Sequence, residues 1–200
     1  MKLDEAIKIL RESKKRNFSQ SIDLIFSLRN IDLKKPENKF SKDVVLPHGK
    51  GKDVIVGIIS DRIPDAINKN QIMELEQDKK ALRKFVRKYD FFLCEAPLMP
   101  IVGKILGRYL GPIGKMPKLL PPGQRVEPIL EDAKNSVRIR VRDSPVMQCM
   151  IGTEVMDDKK IKENAERVIN EVKSALPKGH TQIKYVFIKT TMGKPVKIDL

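Results

Sequence analysis

Five glycine–lysine pairs are the first candidates for chemistry in this sequence, because such pairs occur in phosphate-binding loops. They lie at positions 49–50, 51–52, 103–104, 114–115 and 193–194. A P-loop also needs a glycine five positions before the paired glycine and a serine or threonine after the lysine, which together surround the phosphates. None of the five pairs meets either requirement. We therefore expect no nucleoside triphosphate site.

Residues that act as acids, bases or metal ligands are scattered rather than convergent. The histidines, His48 and His180, lie outside any metal-binding or nucleophile-activating motif. Carboxylates cluster where a helix is expected to begin or on its outer face, where the helix dipole and solvent account for them. These carboxylates are Asp157, Asp158, Glu163 and Glu166. The sequence thus predicts a protein that is not an enzyme.

The two cysteines, Cys94 and Cys149, have no second cysteine or histidine at metal-ligand spacing. We interpret both as small, buried hydrophobic side chains. The sequence accordingly predicts no metal, no disulfide framework and no cofactor.

Two polar segments are better candidates, as binding surfaces. Phe18 precedes a segment of alternating polar and apolar residues with Ser21 and Asp23 on its polar side, and its ring is either a core residue or an aromatic platform. The segment 191–193 (threonine, methionine, glycine) is either a plain hairpin turn or a surface for ribose and phosphate oxygens. We expect its glycine to adopt a positive φ and to allow close approach of a ligand.

Composition favours a nucleic acid as the partner of such a surface. The 200 residues contain 40 Lys+Arg against 26 Asp+Glu, a formal net charge of +14, which favours a polyanionic ligand. A hydrophobic fraction of 40% excludes a disordered basic tail. No apolar run reaches the roughly 18 residues of a membrane span. The sequence therefore predicts a folded, cytoplasmic protein that does not enter a membrane.

The two ends of the chain predict an antiparallel α+β arrangement that positions these segments. The patterns indicate helices at 4–13 and 159–176 and strands at 21–28, 43–46, 137–142, 146–152, 183–189 and 196–198. The 137–142 strand alternates apolar residues with arginine, so one of its faces is basic. We expect it to form a hairpin with 146–152, and we expect a loop at 33–41.

The middle of the chain instead predicts a three-layer α/β domain. Strands are expected at 54–59, 71–75 and 91–95, helices at 63–68, 79–89, 100–110 and 128–134, and irregular structure at 111–123. Repeated strand–helix alternation requires parallel crossovers. The simplest architecture has two domains, one built from both termini, 1–49 and 137–200, and one inserted between them, 50–136.

Four motifs resemble, in their order along the chain, the family of the first large-subunit ribosomal protein, which forms the mobile stalk beside the ribosomal exit site. They are NFSQS at 17–21, VLPHGKGK at 45–52, LGPIGKMP at 110–117 and TTMG at 190–193. The loop at 35–38 and the short N-terminus are similar to the archaeal branch of that family.

The resemblance implies a split β-α-β sheet domain built from both termini and an inserted Rossmann-like three-layer α/β domain that binds no dinucleotide. It implies that the first domain binds large-subunit ribosomal RNA at the stalk, that the protein assists release of deacylated tRNA from the exit site, and that it represses translation by binding its own mRNA. Off the ribosome, a monomer is expected. The residues that match the RNA-contacting pattern are Phe18, Ser21, Asp23, Tyr185, Thr191, Met192 and Gly193.

Two positions differ from the family's pattern. Lys194 is inserted between Gly193 and Pro195, directly beside the expected contact turn, and Ser21 stands where threonine is common. The function expected from the sequence is structural and regulatory RNA binding. The alternative is an enzyme that processes RNA or nucleotides with the α/β domain.

Overall fold

The structure is a computed structural model that describes residues 1–14, 16–35, 38–64, 66–121 and 126–199. The chain divides into two units, each with its own core. The terminal unit consists of Met1–Lys52 and Asn135–Leu200, and the inserted unit consists of Asp53–Lys134.

Helices and strands follow one another in an order that differs between the two units. The terminal unit contains α1 (Leu3–Glu12), β1 (Ser21–Leu28) and β2 (Phe40–Val45), then β6 (Ser136–Val141), β7 (Val146–Thr153), α7 (Asp158–Ala175), β8 (Ile183–Thr190) and β9 (Val196–Ile198). The inserted unit contains β3 (Val56–Ile59), α2 (Lys69–Gln77), α3 (Lys79–Lys88), β4 (Phe91–Glu95), α4 (Met99–Ile105), α5 (Gly107–Ile113) and β5 (Lys118–Leu120), and α6 (Val126–Asn135) returns the chain to the terminal unit.

The main sheet of the terminal unit has the strand order β7-β1-β8-β9. Strand β1 pairs antiparallel with both β7 and β8, so these two strands run parallel to each other with β1 between them. The helix α7 joins β7 to β8. This is a split β-α-β arrangement, and the predicted fold of this unit is confirmed.

One face of the main sheet is covered by α1 and α7, and the residues of β1 on its other face are half-exposed. Residues of β1 alternate between full burial and partial exposure, as expected of a strand with one buried face. The buried face of β1 consists of Ile22, Leu24, Phe26 and Leu28, and these share a core with Ala6, Ile7 and Leu10 of α1 and with Ile161, Ala165, Val168 and Val172 of α7. Both helices therefore lie on this side, and the polar side of β1 faces outward.

The predicted hairpin between 137–142 and 146–152 is wrong. Strand β6 pairs with β2 in a separate two-stranded sheet, whereas β7 pairs with β1. The connection between β6 and β7 is tied to β1, because Leu28 N donates to the carbonyl of Pro145 at 2.8 Å. Across β2 and β6, Arg138 forms an ion pair with Asp43 at 2.7 Å. The two strands follow each other along the chain and contribute to the same core, but each pairs with a different strand.

The inserted unit contains a parallel sheet, as the sequence predicts, and its strand order is β3-β4-β5. Phe92 and Cys94 of β4 belong to the core formed with α2, α3, α4 and α5. Leu93 points to the opposite face, because side chains alternate along a strand, and it is also fully buried. Both faces of β4 are therefore covered, which agrees with a three-layer unit.

Several predicted elements of the inserted unit are wrong in type or extent. The helix expected over 63–68 is wrong, because the described residues of this segment form turns and an isolated parallel bridge from Ile67 to Ile59. The strand expected over 71–75 is instead part of helix α2, which begins after Asn68 because Asn68 and Gln71 form a capping box. The helix expected at 100–110 is two helices, and α5 continues to Ile113 before Gly114 ends it with a φ of 79°. Strand β5 lies within the segment expected to be irregular. Of the predicted segments, positions 36–37, 65 and 122–123 lie outside the described residues.

Both cysteines are buried, as predicted. Burial raises the pKa of Cys94 to about 11 and that of Cys149 to about 12, so neither thiol is activated. Among the residues that the structure describes, no group of three or more histidine, cysteine, aspartate or glutamate side chains is arranged to hold a metal. Within the same residues, no helix is long and apolar enough to cross a membrane.

Candidate nucleic-acid interface

The half-exposed side of the β1–β8 pair, which we call the open face, carries the candidate contact residues Ser21, Asp23 and Tyr185. Its positions follow from strand register, in which Asp23 lies opposite Lys189, Ile25 opposite Phe187 and Ser27 opposite Tyr185. Ser21 continues the same row at the start of β1. Alternation along the strands therefore places side chains that are far apart in sequence on one surface.

At one end of the open face, Ser21 and Thr191 are joined directly. Ser21 N donates to Thr191 Oγ1 at 3.0 Å, and the two hydroxyl oxygens lie 2.9 Å apart. Thr191 N donates to the carbonyl of Ser21 at 3.0 Å. The start of β1 and the turn after β8 thus form one surface of hydroxyl and peptide groups, although 170 residues separate them in sequence.

The contact turn, residues 190–193, is a tight β-turn. Gly193 N donates to the carbonyl of Thr190 at 3.1 Å. Gly193 does not have a positive φ, so the expectation that it needs one is wrong. Glycine is required there for space, because a Cβ would overlap the hydroxyl of Thr190. That hydroxyl is buried and has no hydrogen-bond partner among the described residues.

Gln20 positions the contact turn, although it is not among the site residues predicted from the sequence. Its side chain is buried, its Nε2 donates to Glu154 Oε1 at 2.9 Å, and its Oε1 accepts a hydrogen bond from Met192 N at 3.1 Å. Gln20 N donates to Glu154 Oε2 at 2.9 Å. Gln20 therefore links the contact turn to the segment after β7. A glutamine inside the 17–21 motif was the available signal, but nothing local to it shows that it is buried.

Asp23 is the acidic group of the open face. Partial burial raises the pKa of its carboxyl, while Lys189 across the strand pair and a hydrogen bond from Ser21 oppose this shift. The Ser21 hydroxyl lies 3.5 Å from Asp23 Oδ1. A partly desolvated carboxylate can accept hydrogen bonds from hydroxyl or N–H groups but repels phosphate. Such a carboxylate suits hydrogen-bond donors better than a phosphate backbone.

Two apolar side chains near this end are exposed. Phe18 is 51% exposed and Met192 is 61% exposed. Of the two interpretations of Phe18, the structure excludes a core residue. Exposed apolar side chains next to hydroxyl and peptide groups provide surfaces on which bases or sugars can pack.

Tyr185 is not brought together with the contact turn. It lies opposite Ser27, six residues along β8 from Thr191, which corresponds to about 20 Å of extended strand. Its ring centroid is 6.1 Å from that of Phe187, and Lys197 Nζ lies 4.4 Å from the centre of the Tyr185 ring. The open face therefore has a second, aromatic and cationic end. Phe187, Lys189 and Lys197 were missed, although the alternation in 183–189 was a signal for the first two.

A groove of about 430 Å³ lies between the end of α1 and the contact turn. It is lined by Ile9, Leu10, Glu12, Ser13, Lys14, Arg16, Met192, Gly193, Lys194 and Val196. Lys194, the residue inserted relative to the family pattern, thus shares this groove with two further cations. They give the contact turn a basic border beside a largely uncharged centre.

Comparison with known proteins assigns the chain to a family. The sequence model of the "Ribosomal protein L1p/L10e family" matches residues 10–194. The chain belongs to this family. It is 45% identical to the large ribosomal subunit protein uL1 of Thermococcus kodakarensis, over 99% of this chain and 97% of that protein. It is 44% identical to uL1 of Pyrococcus horikoshii, over 99% and 95%, and 42% identical to uL1 of Methanobrevibacter smithii, over 97% of each.

Membership of the L1p/L10e family confirms the resemblance seen in the four motifs, including its archaeal character. It also confirms that the chain is a structural ribosomal protein and not an enzyme, and that its location is cytoplasmic. The alternative of an RNA- or nucleotide-processing enzyme is therefore discarded.

Proposed function

We propose that the chain binds large-subunit ribosomal RNA at the mobile stalk through the open face and the contact turn. The observation that carries this proposal is the direct joining of Ser21 and Thr191, which turns two distant motifs into one exposed surface. Membership of a ribosomal protein family supports RNA as the ligand. In this proposal the RNA-binding domain is 1–49 with 137–200, and 50–136 is the inserted domain.

The chemistry of the surface favours recognition of RNA shape and sugars. Ser21 and Thr191 present hydroxyl groups, and Asp23 accepts hydrogen bonds only, which suits the ribose 2′-hydroxyl. Phe18 and Met192 are exposed and can pack against unstacked bases or sugars. Lys14, Arg16 and Lys194 border the turn and can meet nearby phosphates.

Three finer roles belong to the same proposal. The surface binds the protein's own mRNA, and thereby represses translation, when that mRNA presents the same RNA shape. A chain held at the stalk lies beside exit-site tRNA and assists its release. Off the ribosome the chain is a monomer. The shared surface is tested by measuring whether the mRNA leader and ribosomal RNA compete for the wild-type chain. A variant of the open face should lose binding to both RNAs.

Phe18→Ala tests the proposed function itself. We expect RNA affinity to fall roughly tenfold, within the range of about 1–3 kcal/mol per base stacked on an aromatic ring. The melting temperature should change little because half of the Phe18 surface is exposed in the free protein. RNA binding by filter retention and thermal melting give the two readouts. Val45→Ala is the matched control, since Val45 is 43% exposed and lies in β2, away from the main sheet. Equal affinities for wild type and Phe18→Ala contradict the proposal.

The salt dependence of RNA binding should be shallow. Because uncharged groups dominate the centre of the site, we expect fewer ions to be released than for a protein that neutralises about 6 to 10 phosphates. Titrations of the full chain with a large-subunit ribosomal RNA transcript at several salt concentrations measure the slope. A slope as steep as for 6 to 10 neutralised phosphates shows that charge, not shape, controls binding.

A further inference from the structure

The exposed side of α3, in the inserted unit, is strongly cationic. Its sequence, KKALRKFVRK, contains no acidic residue. The cations occur in three adjacent pairs, spaced four residues apart, and all are exposed: Lys79, Lys80, Arg83, Lys84, Arg87 and Lys88. None of the six forms an ion pair with any residue in the described part of the chain. We call these six residues the basic face of α3.

In α7, the long helix of the terminal unit, cations instead form ion pairs. Arg167 pairs with Glu171 one turn later at 3.0 Å, and Glu171 also meets Lys42 at 2.6 Å. Lys162 pairs with Asp4 of α1 at 2.8 Å. This mixture of signs is usual for a solvated helix. The basic face of α3 is therefore not the ordinary pattern of this protein's surface.

The basic face destabilises the free helix. Like charges four residues apart repel each other, as Arg83 and Arg87 do. Lys79 and Lys80 lie in the first turn, where the helix dipole disfavours cations. The helix forms because Leu82 and Val86 are buried, and because Lys115 Nζ donates to the carbonyls of Val86 and Tyr89, at 3.3 and 2.7 Å. A bound polyanion would relieve the repulsion.

We propose that the basic face of α3 binds the phosphate backbone of RNA, as a second contact in the inserted unit. Charge complementarity requires an anionic partner along about 15 Å of helix. A membrane is disfavoured because interfacial helices insert an apolar face, and the apolar residues of α3 are used in the unit's own core. This inference shares RNA as ligand with the proposed function but uses a different surface.

The test uses the full chain with four exposed cations of α3 replaced, Lys80→Gln, Arg83→Gln, Lys84→Gln and Arg87→Gln. The matched control removes the same charge from α7 and its following loop: Lys159→Gln, Lys160→Gln, Arg167→Gln and Lys178→Gln. Affinity for a large-subunit ribosomal RNA transcript is measured across salt concentrations, with circular dichroism and thermal melting to confirm folding. We expect the α3 variant to bind roughly tenfold more weakly at low salt, with the salt slope smaller by about two phosphates. The control should stay within about twofold of wild type.

Equal losses in the α3 variant and the α7 control overturn the inference, because net charge alone then explains both. The inference is also overturned if wild type binds vesicles that contain phosphatidylserine, the α3 variant does not, and the two proteins show the same salt slope for RNA binding. That result assigns the basic face to a membrane. Phe18→Ala separates the two proposals. It should lower affinity without changing the slope, whereas the α3 variant should change the slope.

Discussion

Gly193→Val should weaken RNA binding by roughly 100-fold, or about 3 kcal/mol. The new Cβ overlaps the buried hydroxyl of Thr190, so the contact turn must shift and carry Thr191 and Met192 with it. Both central residues of the turn are exposed, so the overall fold should be retained. Filter retention with a large-subunit ribosomal RNA transcript, alongside thermal melting, compares affinity at the same folded fraction.

Two further variants isolate the cause of this loss. Gly103→Val is the matched control, because a Cβ on Gly103 meets nothing within 4 Å. Thr190→Ala removes the hydroxyl that Gly193→Val displaces, so the double variant should recover most of the lost affinity. If Gly193→Val binds RNA as wild type does, the turn is only a hairpin and the proposed contact surface is misplaced.

Asn164→Leu should cost the terminal unit about 3 kcal/mol and lower its melting temperature by roughly 10 °C. Asn164 is fully buried in α7. Its Nδ2 donates to the carbonyls of Gly49 and Ile151, at 2.9 and 2.8 Å, and its Oδ1 accepts a hydrogen bond from His48 N at 3.1 Å. Leucine removes all three hydrogen bonds, and the loss of a partner is costly for buried polar groups.

Asn170→Leu is the control for this prediction, because Asn170 is an exposed asparagine of the same helix. It should change the melting temperature by no more than a few degrees. Differential scanning calorimetry measures both variants. If Asn164→Leu melts at the same temperature as wild type, the hydrogen bonds of Asn164 do not stabilise the terminal unit.

Asn164 also explains the 45–52 motif in physical terms. Gly49 and Gly51 have φ values of 62° and 64°, which favour glycine. A Cβ on Gly51 would lie 2.6 Å from the sulfur of Met156, so the segment is held closely against its neighbours. The sequence identified the motif by resemblance, but the asparagine that holds it comes more than 100 residues later.

Local periodicity determined the elements of the terminal unit almost completely. Alternation in 21–28 and 183–189 predicted β1 and β8, and the stripe in 159–176 predicted α7, because each of these elements has one buried face. Prediction failed where the local pattern was ambiguous. The segment 71–75 was predicted to be a strand, yet the capping residues Asn68 and Gln71 make it part of α2. Strand pairing was also beyond local patterns, as the wrong hairpin of β6 and β7 shows.

For the candidate site, the sequence by itself determined which residue types were available and which family their motifs resemble. Only the tertiary structure decided that Ser21 and Thr191 touch, that Gln20 holds the contact turn, and that Tyr185 lies at the far end of the open face. Local patterns depend on neighbours within a few residues, so they report which side of an element is buried. Contacts across 170 residues depend on strand order and register, which follow from packing the whole core. Only the tertiary structure shows why position 193 must be glycine, because the reason is steric overlap with Thr190 rather than backbone strain.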